Sequence, residues 1–209
     1  MKLVSLISSG IDSPVATFLM SKKADEIILT HGDITPFTDK REKENFLDLV
    51  RHLKKICKCK IQVHLIPHGK SLSAFKRKCD NKFTCVFCKR MLLRYAEVMA
   101  KKNNCDAIIM GDSLGQVASQ TLQNIKTIEQ AVQIPVLRPL IGFDKQEVVK
   151  IAKEIGTYEL SIKSSMDCSA LPNKPSTQSK LEKIMNEEKL LDVKELVKKA
   201  ISGSKMVKI

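Results

Sequence analysis

The stretch Leu3-Val4-Ser5-Leu6-Ile7-Ser8-Ser9-Gly10-Ile11-Asp12-Ser13-Pro14-Val15-Ala16 decides the fold of this chain. An apolar run leads into small hydroxyl residues and a glycine, after which apolar residues resume at helical spacing. The pattern predicts a strand, a phosphate-binding loop and a helix start at the carboxyl edge of a sheet. Ser8, Ser9 and Ser13 would add hydroxyl donors, and Asp12 would help to hold a magnesium ion. An ordinary strand-to-helix turn capped by Ser8 or Ser9 is the alternative interpretation.

The loop lacks the Gly-Lys-Ser/Thr ending of the Walker pattern, which disfavours a kinase-type phosphate loop. It resembles instead the PP-loop of ATP pyrophosphatases, whose usual sequence is Ser-Gly-Gly-x-Asp-Ser. The resemblance implies that ATP is cleaved between its α- and β-phosphates and that a substrate oxygen is adenylated. Ser9 stands where the usual pattern has its first glycine, a substitution that is unfavourable if this position requires a positive φ.

Length and composition indicate a single domain over residues 1–209, since the chain has 209 residues and an ordinary apolar content. The sequence shows neither a secretion signal nor an apolar stretch of membrane-spanning length, which predicts a cytoplasmic protein without a membrane partner. The seven cysteines are an odd number. They therefore favour free thiols, metal ligands or catalysis over a disulfide framework.

The charge balance points to a polyanionic partner, because 36 Lys and Arg face 23 Asp and Glu and give a formal charge of +13. RNA is the first candidate, and a lysine-rich solvated surface is the alternative. With no Trp and two Tyr, the chain is poorly suited to base stacking, so contacts with phosphates and shape are expected.

Short apolar runs alternate with helical patterns, which predicts an α/β fold with a doubly wound, mainly parallel sheet. The predicted strands are Leu3–Ile7, Glu26–Thr30, Gln62–Ile66, Ala107–Met110 and Ile134–Leu137. The predicted helices are Val15–Lys22, Lys40–Cys57, Cys88–Asn103, Ser119–Gln133, Lys145–Ile155 and Lys180–Ala200. An irregular, cysteine-containing segment over residues 57–89 is expected to cover the mouth of the site, and residues 176–209 are expected to form a helical tail. In such sheets ligands bind at the carboxyl ends of strands, which gathers residues 8–13, His31-Gly32 and residues 111–116 into one crevice.

Cys85-Val86-Phe87-Cys88-Lys89-Arg90 is a C-x-x-C motif at the start of a predicted helix, where the adjacent Lys and Arg would stabilise thiolates or a negative cluster. The motif fits a redox pair, half of a zinc site, two ligands of an iron–sulfur cluster, or two unrelated cysteines. Zinc is the second choice as metal, because Cys57-Lys58-Cys59 has only one spacer residue. Cys168 follows in a small, polar loop that ends in Pro172.

A longer resemblance rests on Gly111-Asp112-Ser113-Leu114-Gly115-Gln116-Val117-Ala118-Ser119-Gln120-Thr121, which looks like the signature of the tRNA 4-thiouridine synthase (ThiI) family. Further similar pieces follow the same order along nearly the whole chain. They are Ser9 to Ala16, Pro36-Phe37-Thr38, Cys88-Lys89-Arg90-Met91, Arg138 to Lys145 and Ile155-Gly156-Thr157. The resemblance predicts a PP-loop domain that stands alone, without the THUMP region of most members or the rhodanese domain of some bacterial ones.

The resemblance implies roles for particular residues. Asp12 and Lys145 would serve ATP activation, with Lys145 neutralising charge at the α-phosphate; a helix cap followed by solvated charges is the alternative for Lys145. Ser8, Ser9, Gly10, Ile11, Ser13, His31, Gly32, Gly111, Gln116 and Gln120 complete the predicted nucleotide site. Gln116 and Gln120 could equally be local helix caps.

Cys85, Cys88 and Cys168 would hold a 4Fe-4S cluster, as in archaeal members of the family, with Cys168 also taking part in catalysis. A persulfide on Cys168 is the competing mechanism.

The expected function is an ATP- and Mg²⁺-dependent transfer of sulfur to the 4-oxygen of a tRNA uridine. A nucleotide- or RNA-binding subunit without turnover, and a PP-loop enzyme that thiolates another RNA position or a small molecule, are the alternatives. The expected partners are tRNA and either a separate THUMP-containing protein or a second copy of the chain.

Overall fold

The computed structural model describes residues 1–209 and contains six strands and nine α-helices. The strands are β1 (Lys2–Leu6), β2 (Glu26–Asp33), β3 (Lys60–Pro67), β4 (Ala107–Ile109), β5 (Val136–Leu137) and β6 (Lys205–Met206). The helices are α1 (Asp12–Ser21), α2 (Lys40–Ile56), α3 (Gly69–Lys78), α4 (Thr84–Asn103), α5 (Leu122–Glu129), α6 (Lys145–Glu154), α7 (Tyr158–Ser161), α8 (Leu181–Glu188) and α9 (Val193–Ser202). No helix has the combination of length and apolar composition that crossing a membrane requires.

The strands form one sheet in the order β5-β4-β1-β2-β3-β6, in which β6 alone is antiparallel to its neighbour. The chain builds outward from β1 through β2 to β3, and then adds β4 on the other side of β1. Connections that leave neighbouring parallel strands in opposite directions open a crevice at their carboxyl ends. The predicted doubly wound, mainly parallel fold is therefore confirmed, with the crevice between β1 and β4.

Helices cover both faces of the sheet, which explains why the central strands are almost continuously apolar. On β1 and β2, Leu3 and Ile27 face one core cluster while Val4 and Ile28 face the other. One cluster includes residues of α1, α2 and α6, and the other includes residues of α3, α4, α5, α8 and α9. Successive strand residues thus supply both cores, and the crevice lies at the edge where both layers end.

The predicted irregularity of residues 57–89 is wrong. This segment contains β3, α3, a 3₁₀ turn at Asn81–Phe83 and the start of α4. Leu72 and Phe75 are buried, while Lys70, Arg77 and Lys78 remain exposed, so α3 is a short amphipathic helix whose many basic residues obscured its apolar face.

Two predicted helices are shorter than expected. In each, a polar side chain inside the predicted range caps the N-terminus of a helix that begins there. Thr121 accepts a hydrogen bond from the backbone of Asn124, so α5 begins at Leu122, after a 3₁₀ turn at Ala118–Gln120. Asp192 caps α9 in the same way and divides Lys180–Ala200 into α8 and α9. The tail is also not wholly helical, since β6 pairs with β3.

Replacing Glu188 by glutamine should lower the free energy of unfolding by about 3 kcal/mol, because this change breaks a buried ion pair. Arg90 and Arg94 each donate two hydrogen bonds to the Glu188 carboxylate, at 2.7–2.9 Å, and thereby join α4 to α8. Burial opposes ionisation, but the two arginines hold the pKa of Glu188 below its ordinary value. The stabilisation is therefore present above the ordinary carboxyl pKa and is lost as the pH falls through the lowered native value.

Urea unfolding at neutral and acidic pH measures both effects. Glu195→Gln is the control, because Glu195 pairs with Lys199 on the surface of α9 and should contribute less than about 1 kcal/mol. Equal losses from the two variants would contradict the importance of the Glu188 pair.

Candidate active site

A cleft of about 270 Å³ opens where β1 and β4 end. It is lined by the loop after β1, the end of β2, the first part of α4 and the segment after β4. Eight residues predicted for the nucleotide site line it, namely Ser8, Gly10, Ile11, Asp12, Ser13, Gly32, Gly111 and Gln120. The structure thus brings together most of the predicted nucleotide site at the predicted edge of the sheet.

The phosphate loop, residues 8–13, is organised by its own hydroxyl groups. Ser13 Oγ accepts a hydrogen bond from the backbone N–H of Ser8 at 2.9 Å and lies 3.2 Å from Ser8 Oγ. No side chain caps the N-terminus of α1, so its first backbone N–H groups remain available to an anion. Ser9 does not adopt a positive φ, so serine is compatible with the backbone at this position.

Gly111 permits the close approach of the segment after β4 to the start of α1. A Cβ atom at Gly111 would lie 2.7 Å from Ser13 Cα and 2.8 Å from Ser13 N. These are backbone atoms that cannot rotate away. The position therefore requires glycine if the two walls of the cleft are to meet.

Asp12 and Lys145 meet at the mouth of the cleft. Lys145 Nζ lies 2.6 Å from Asp12 Oδ1, across 133 residues of sequence. Asp144 and Glu147 also form the capping box that was the alternative interpretation of this motif. The cap and the ion pair coexist, because the cap fixes the first turn of α6 and so directs Lys145 towards α1.

The inner wall carries a buried carboxylate between two cations. Asp112 accepts a hydrogen bond from Lys89 Nζ at 2.7 Å and one from Arg138 Nε at 3.3 Å. Burial opposes the ionisation of Asp112, but Lys89 and Arg138 hold its pKa below the ordinary value. Sequence reasoning assigned Lys89 and Arg90 together to the thiols. In the structure only Lys89 lines the cleft, since Arg90 turns inward to Glu188.

Gln120 and Gln116 have different surroundings. Gln120 lines the cleft, and its Oε1 is buried without a hydrogen-bond partner, so it can accept an N–H group from a bound molecule. Gln116 is exposed and does not line the cleft.

The side chains of His31 and Ser9 also lie outside the cleft. Thr30 and Gly32 line it, and His31, between them on β2, faces the opposite side because strand side chains alternate. Ser9 Oγ donates a hydrogen bond to Glu42 of α2 rather than pointing into the cleft. Neither side chain is placed to touch a nucleotide in the cleft.

Cys85 and Cys88 lie in the first turns of α4, with Cys168 nearby in the loop of residues 165–172. That loop is fixed to Phe37 and Thr38 through hydrogen bonds from Ser169 N to Phe37 O and from Thr38 Oγ1 to Met166 O. We call Cys85, Cys88 and Cys168 the three-thiol group.

The members of the three-thiol group lie close enough together for the charge of one thiolate to affect the pKa of another. Burial, and then Cys85 and Cys168, raise the pKa of Cys88 to about 12, whereas Lys89 lowers it. Burial and Cys168 likewise raise the pKa of Cys85. Because Lys89 also lines the cleft, the thiols and the cleft are neighbours.

The remaining four cysteines lie elsewhere, and all seven are free thiols. Cys57 packs in the core on the α2 side, and Cys79 donates to Glu187 O. No three His, Cys, Asp or Glu side chains are positioned to coordinate a metal ion in the structure. The donor set nevertheless fits an iron–sulfur cluster chemically. The thiols of Cys85, Cys88 and Cys168 lie close enough to affect one another, and the Lys89 cation lies beside them.

His68 is a neighbour of the thiols that sequence reasoning missed. It is fully buried, and its Nε2 lies 3.3 Å from Cys88 Sγ while its Nδ1 lies 3.2 Å from Tyr95 Oη. Burial lowers the pKa of His68 to about 4, so the ring is neutral at pH 7. The sequence offers no local signal for this contact, because the two residues are 20 positions apart.

Comparison with known proteins gives matches along the whole chain. The chain is 40% identical to proteins named probable tRNA sulfurtransferase from Methanosarcina mazei, over 209 residues, and from Methanobrevibacter smithii, over 203 residues. These alignments cover 100% and 97% of this chain but 52% and 53% of those relatives. The chain therefore spans about half the length of the curated relatives it matches.

Solved structures agree with these matches. A 4-thiouridine synthetase in complex with RNA and bound ATP superposes with a TM-score of 0.94 at 35% identity, covering 99% of this chain and 54% of that one. NMN synthetase from Francisella tularensis superposes with a TM-score of 0.60 at 13% identity, over 96% of this chain and 83% of that one, which shows the shared fold alone. The family model described as thiamine biosynthesis protein (ThiI) matches residues 1–193. The chain therefore belongs to the ThiI family.

Proposed function

We propose that this chain is the ATP-using and sulfur-inserting part of a tRNA sulfurtransferase, and that it adenylates the 4-oxygen of a uridine and replaces that oxygen with sulfur. The observation that carries the proposal is the meeting of two sites at Lys89. This side chain lines the cleft beside the phosphate loop and also lies beside Cys85 and Cys88. Relatives named tRNA sulfurtransferase, and the 4-thiouridine synthetase that holds ATP, support it.

Adenylation is the first step, because a carbonyl oxygen is a poor leaving group and AMP is a good one. The uridine oxygen attacks the α-phosphorus of ATP, and pyrophosphate leaves. The free N–H groups at the start of α1 and the hydroxyls of Ser8 and Ser13 hold the departing pyrophosphate. Lys145 neutralises the charge that develops on the α-phosphate. The part-exposed Asp12 carboxylate is a suitable oxygen ligand for Mg²⁺, which when bound would offset phosphate charge.

Sulfur insertion is the second step, and we assign it to the three-thiol group. A 4Fe-4S cluster held by Cys85, Cys88 and Cys168 would present sulfide as the nucleophile when bound. Attack of that sulfide on C4 of the adenylated uridine forms the carbon–sulfur bond, and AMP leaves with the former 4-oxygen. The thiols must lose their protons to act as ligands. Burial raises the pKa of Cys85 and Cys88 and so opposes this loss, whereas the charge of Lys89 favours it. A zinc site and a persulfide on Cys168 are the alternative chemistries.

RNA binding is proposed for the basic face of α3, formed by Lys70, Lys76 and Arg77. Lys70 and Arg77 are exposed and have no carboxylate partner, while Lys76 Nζ lies 3.5 Å from Ser169 O. No Asp or Glu occurs in residues 67–79. The face therefore lies beside the loop of Cys168, where a phosphate backbone bound to α3 would bring a nucleotide towards the thiols.

The Lys70→Glu/Arg77→Glu double variant should bind tRNA about tenfold more weakly and lower the slope of log affinity against log salt by about two, if each residue contacts one phosphate. Lys23→Glu/Lys58→Glu is the matched control. It changes the charge equally, on exposed lysines at the opposite edge of the sheet, just before β2 and β3. Filter binding over a salt series measures the slope; equal losses in both double variants would mean that only net charge matters.

The function as a whole is tested by two assays on the full chain. The expected results are tRNA-dependent exchange of pyrophosphate into ATP and the appearance of 4-thiouridine in nucleosides digested from tRNA. ATP binding without exchange would indicate a non-catalytic subunit, and another thionucleoside would indicate another RNA position. Activity restored only by adding a THUMP-containing protein would identify that protein as the tRNA reader, and a mass of twice the chain in solution would indicate a homodimer.

A further inference from the structure

Ser9 departs from the usual PP-loop sequence, and the structure gives its hydroxyl a specific partner. Ser9 Oγ donates to Glu42 Oε1 at 3.0 Å. Glu42 is only 14% exposed and lies in the first turn of α2, which Asp39 caps. The Ser9 side chain thus leaves the cleft face of the loop free and ties the loop to α2.

His31 contacts the same carboxylate from β2. Its Nδ1 lies 3.0 Å from Ile7 O, and since a carbonyl oxygen only accepts, Nδ1 must carry a proton. Its Nε2 is buried, has no hydrogen-bond partner, and faces Glu42 Oε2 at 3.3 Å. A bare Nε2 lone pair facing a carboxylate oxygen would be repulsive. A proton therefore lies between the two atoms, either on Nε2 of His31 or on Oε2 of Glu42.

The hydrogen bonds of Glu42 favour a proton on the ring, because Oε1 already accepts from Ser9 Oγ and a carboxylate that accepts hydrogen bonds is favoured in its ionised form. Burial opposes the ionisation of Glu42, but His31 and Ser9 hold its pKa below the ordinary value against the opposing charge of Asp33. Asp33 itself lies 3.8 Å from Lys43 Nζ. The ring also stacks on Phe46, at 4.1 Å between centroids, which fixes its plane.

We propose that His31, doubly protonated, and Glu42 form a buried ion pair that braces the phosphate loop at both sides, through Ile7 O and Ser9 Oγ. His31 and Glu42 are then positioning residues for the nucleotide site. Ser9 is the contact through which α2 holds the phosphate loop in position. The role in nucleotide binding rests on the function proposed above. The brace itself does not, since it is a property of the protein without ligand.

The first test observes the proton directly. In ¹⁵N NMR of the full chain at neutral pH, both ring nitrogens of His31 should show the shifts of protonated imidazolium. Glu42→Gln should convert the ring to its neutral form while leaving an oxygen for Ser9. A neutral ring in the wild-type protein would overturn the assignment, whether or not ATP binds.

The second test measures ATP affinity by calorimetry in the presence of Mg²⁺. Ser9→Ala should weaken binding about fivefold and Glu42→Ala at least as much, because Glu42→Ala removes the partner of both Ser9 and His31. The double variant should bind no more weakly than Glu42→Ala alone, because Glu42→Ala already removes the Ser9 contact. Glu44→Ala is the control, since Glu44 is an exposed carboxylate of the same helix. Thermal melting identifies loss through unfolding, and Ser9→Ala removes only a hydroxyl.

The outcomes separate the two proposals. A double variant weaker than Glu42→Ala alone, or wild-type affinity in Ser9→Ala and Glu42→Ala, would overturn the role of the brace in nucleotide binding while leaving the proposed function intact. Absence of ATP binding in the wild-type protein would overturn the proposed function, and the NMR result would still decide the protonation of His31.

Discussion

Asp12→Ala should reduce AMP formation by a factor of about 10²–10³, and Lys145→Ala should do nearly the same, because preorganised charge at a transferring phosphoryl group has this magnitude of effect. The two groups are held 2.6 Å apart at the mouth of the cleft. Removal of Asp12 takes away the proposed magnesium ligand. Removal of Lys145 takes away the charge expected to act in the transition state, so the rate should fall more than ATP affinity.

A surface ion pair similar to that of Asp12 and Lys145 provides the control substitution. Asp48 and Lys163 are also an exposed ion pair, with Lys163 Nζ 2.7 Å from Asp48 Oδ2, and neither residue lines the cleft. Asp48→Ala should therefore keep wild-type rates. Since Asp12 and Lys145 are 28% and 48% exposed, their loss should leave circular dichroism unchanged. Wild-type pyrophosphate exchange in folded Asp12→Ala would refute the activation assignment, and an unchanged rate in Lys145→Ala would leave that residue with a role in the first turn of α6 alone.

Cys88→Ala should abolish sulfur insertion while keeping ATP–pyrophosphate exchange within about threefold of wild type, because activation and sulfur delivery use separate groups. Cys85→Ala and Cys168→Ala should behave in the same way if all three thiols hold one cluster. Cys105→Ser is the control, since Cys105 precedes β4 at the opposite edge of the sheet. Thionucleoside analysis of tRNA and exchange assays on the same preparations measure the two steps independently.

Metal content and the pattern of losses distinguish the alternative chemistries. Anaerobically purified protein should contain iron and absorb broadly in the visible range, and each of the three variants should lose this absorption. Stoichiometric zinc would refute the cluster. Normal thiolation by Cys85→Ala, with loss only in Cys168→Ala, would favour a persulfide on Cys168.

Local patterns were sufficient to predict the fold class and the position of the cleft. The apolar run before Ser8 and the helical spacing after Ser13 define a strand, loop and helix that depend on neighbours in sequence. The capping box at Asp144 and Glu147 is equally local, and the predicted helix start at Lys145 is confirmed. The C-x-x-C motif also predicted a helix, but α4 begins at Thr84, four residues before the predicted Cys88. Local patterns failed at α3, where basic residues dominate the composition and tertiary packing of Leu72 and Phe75 decides the helix.

Contacts between distant residues were decided by the tertiary structure alone. Lys89 and Asp112 are 23 positions apart, and Ser9 and Glu42 are 33 apart. In each case the two side chains meet because parallel strands bring the ends of separate βα units to one edge of the sheet. The sequence by itself determined a strand, loop and helix of the kind that favours phosphate binding, an excess of positive charge and a C-x-x-C pair. Only the packing of α2, α4 and α6 around that edge decided which charge faces which, because electrostatic contacts depend on distances that local periodicity does not encode.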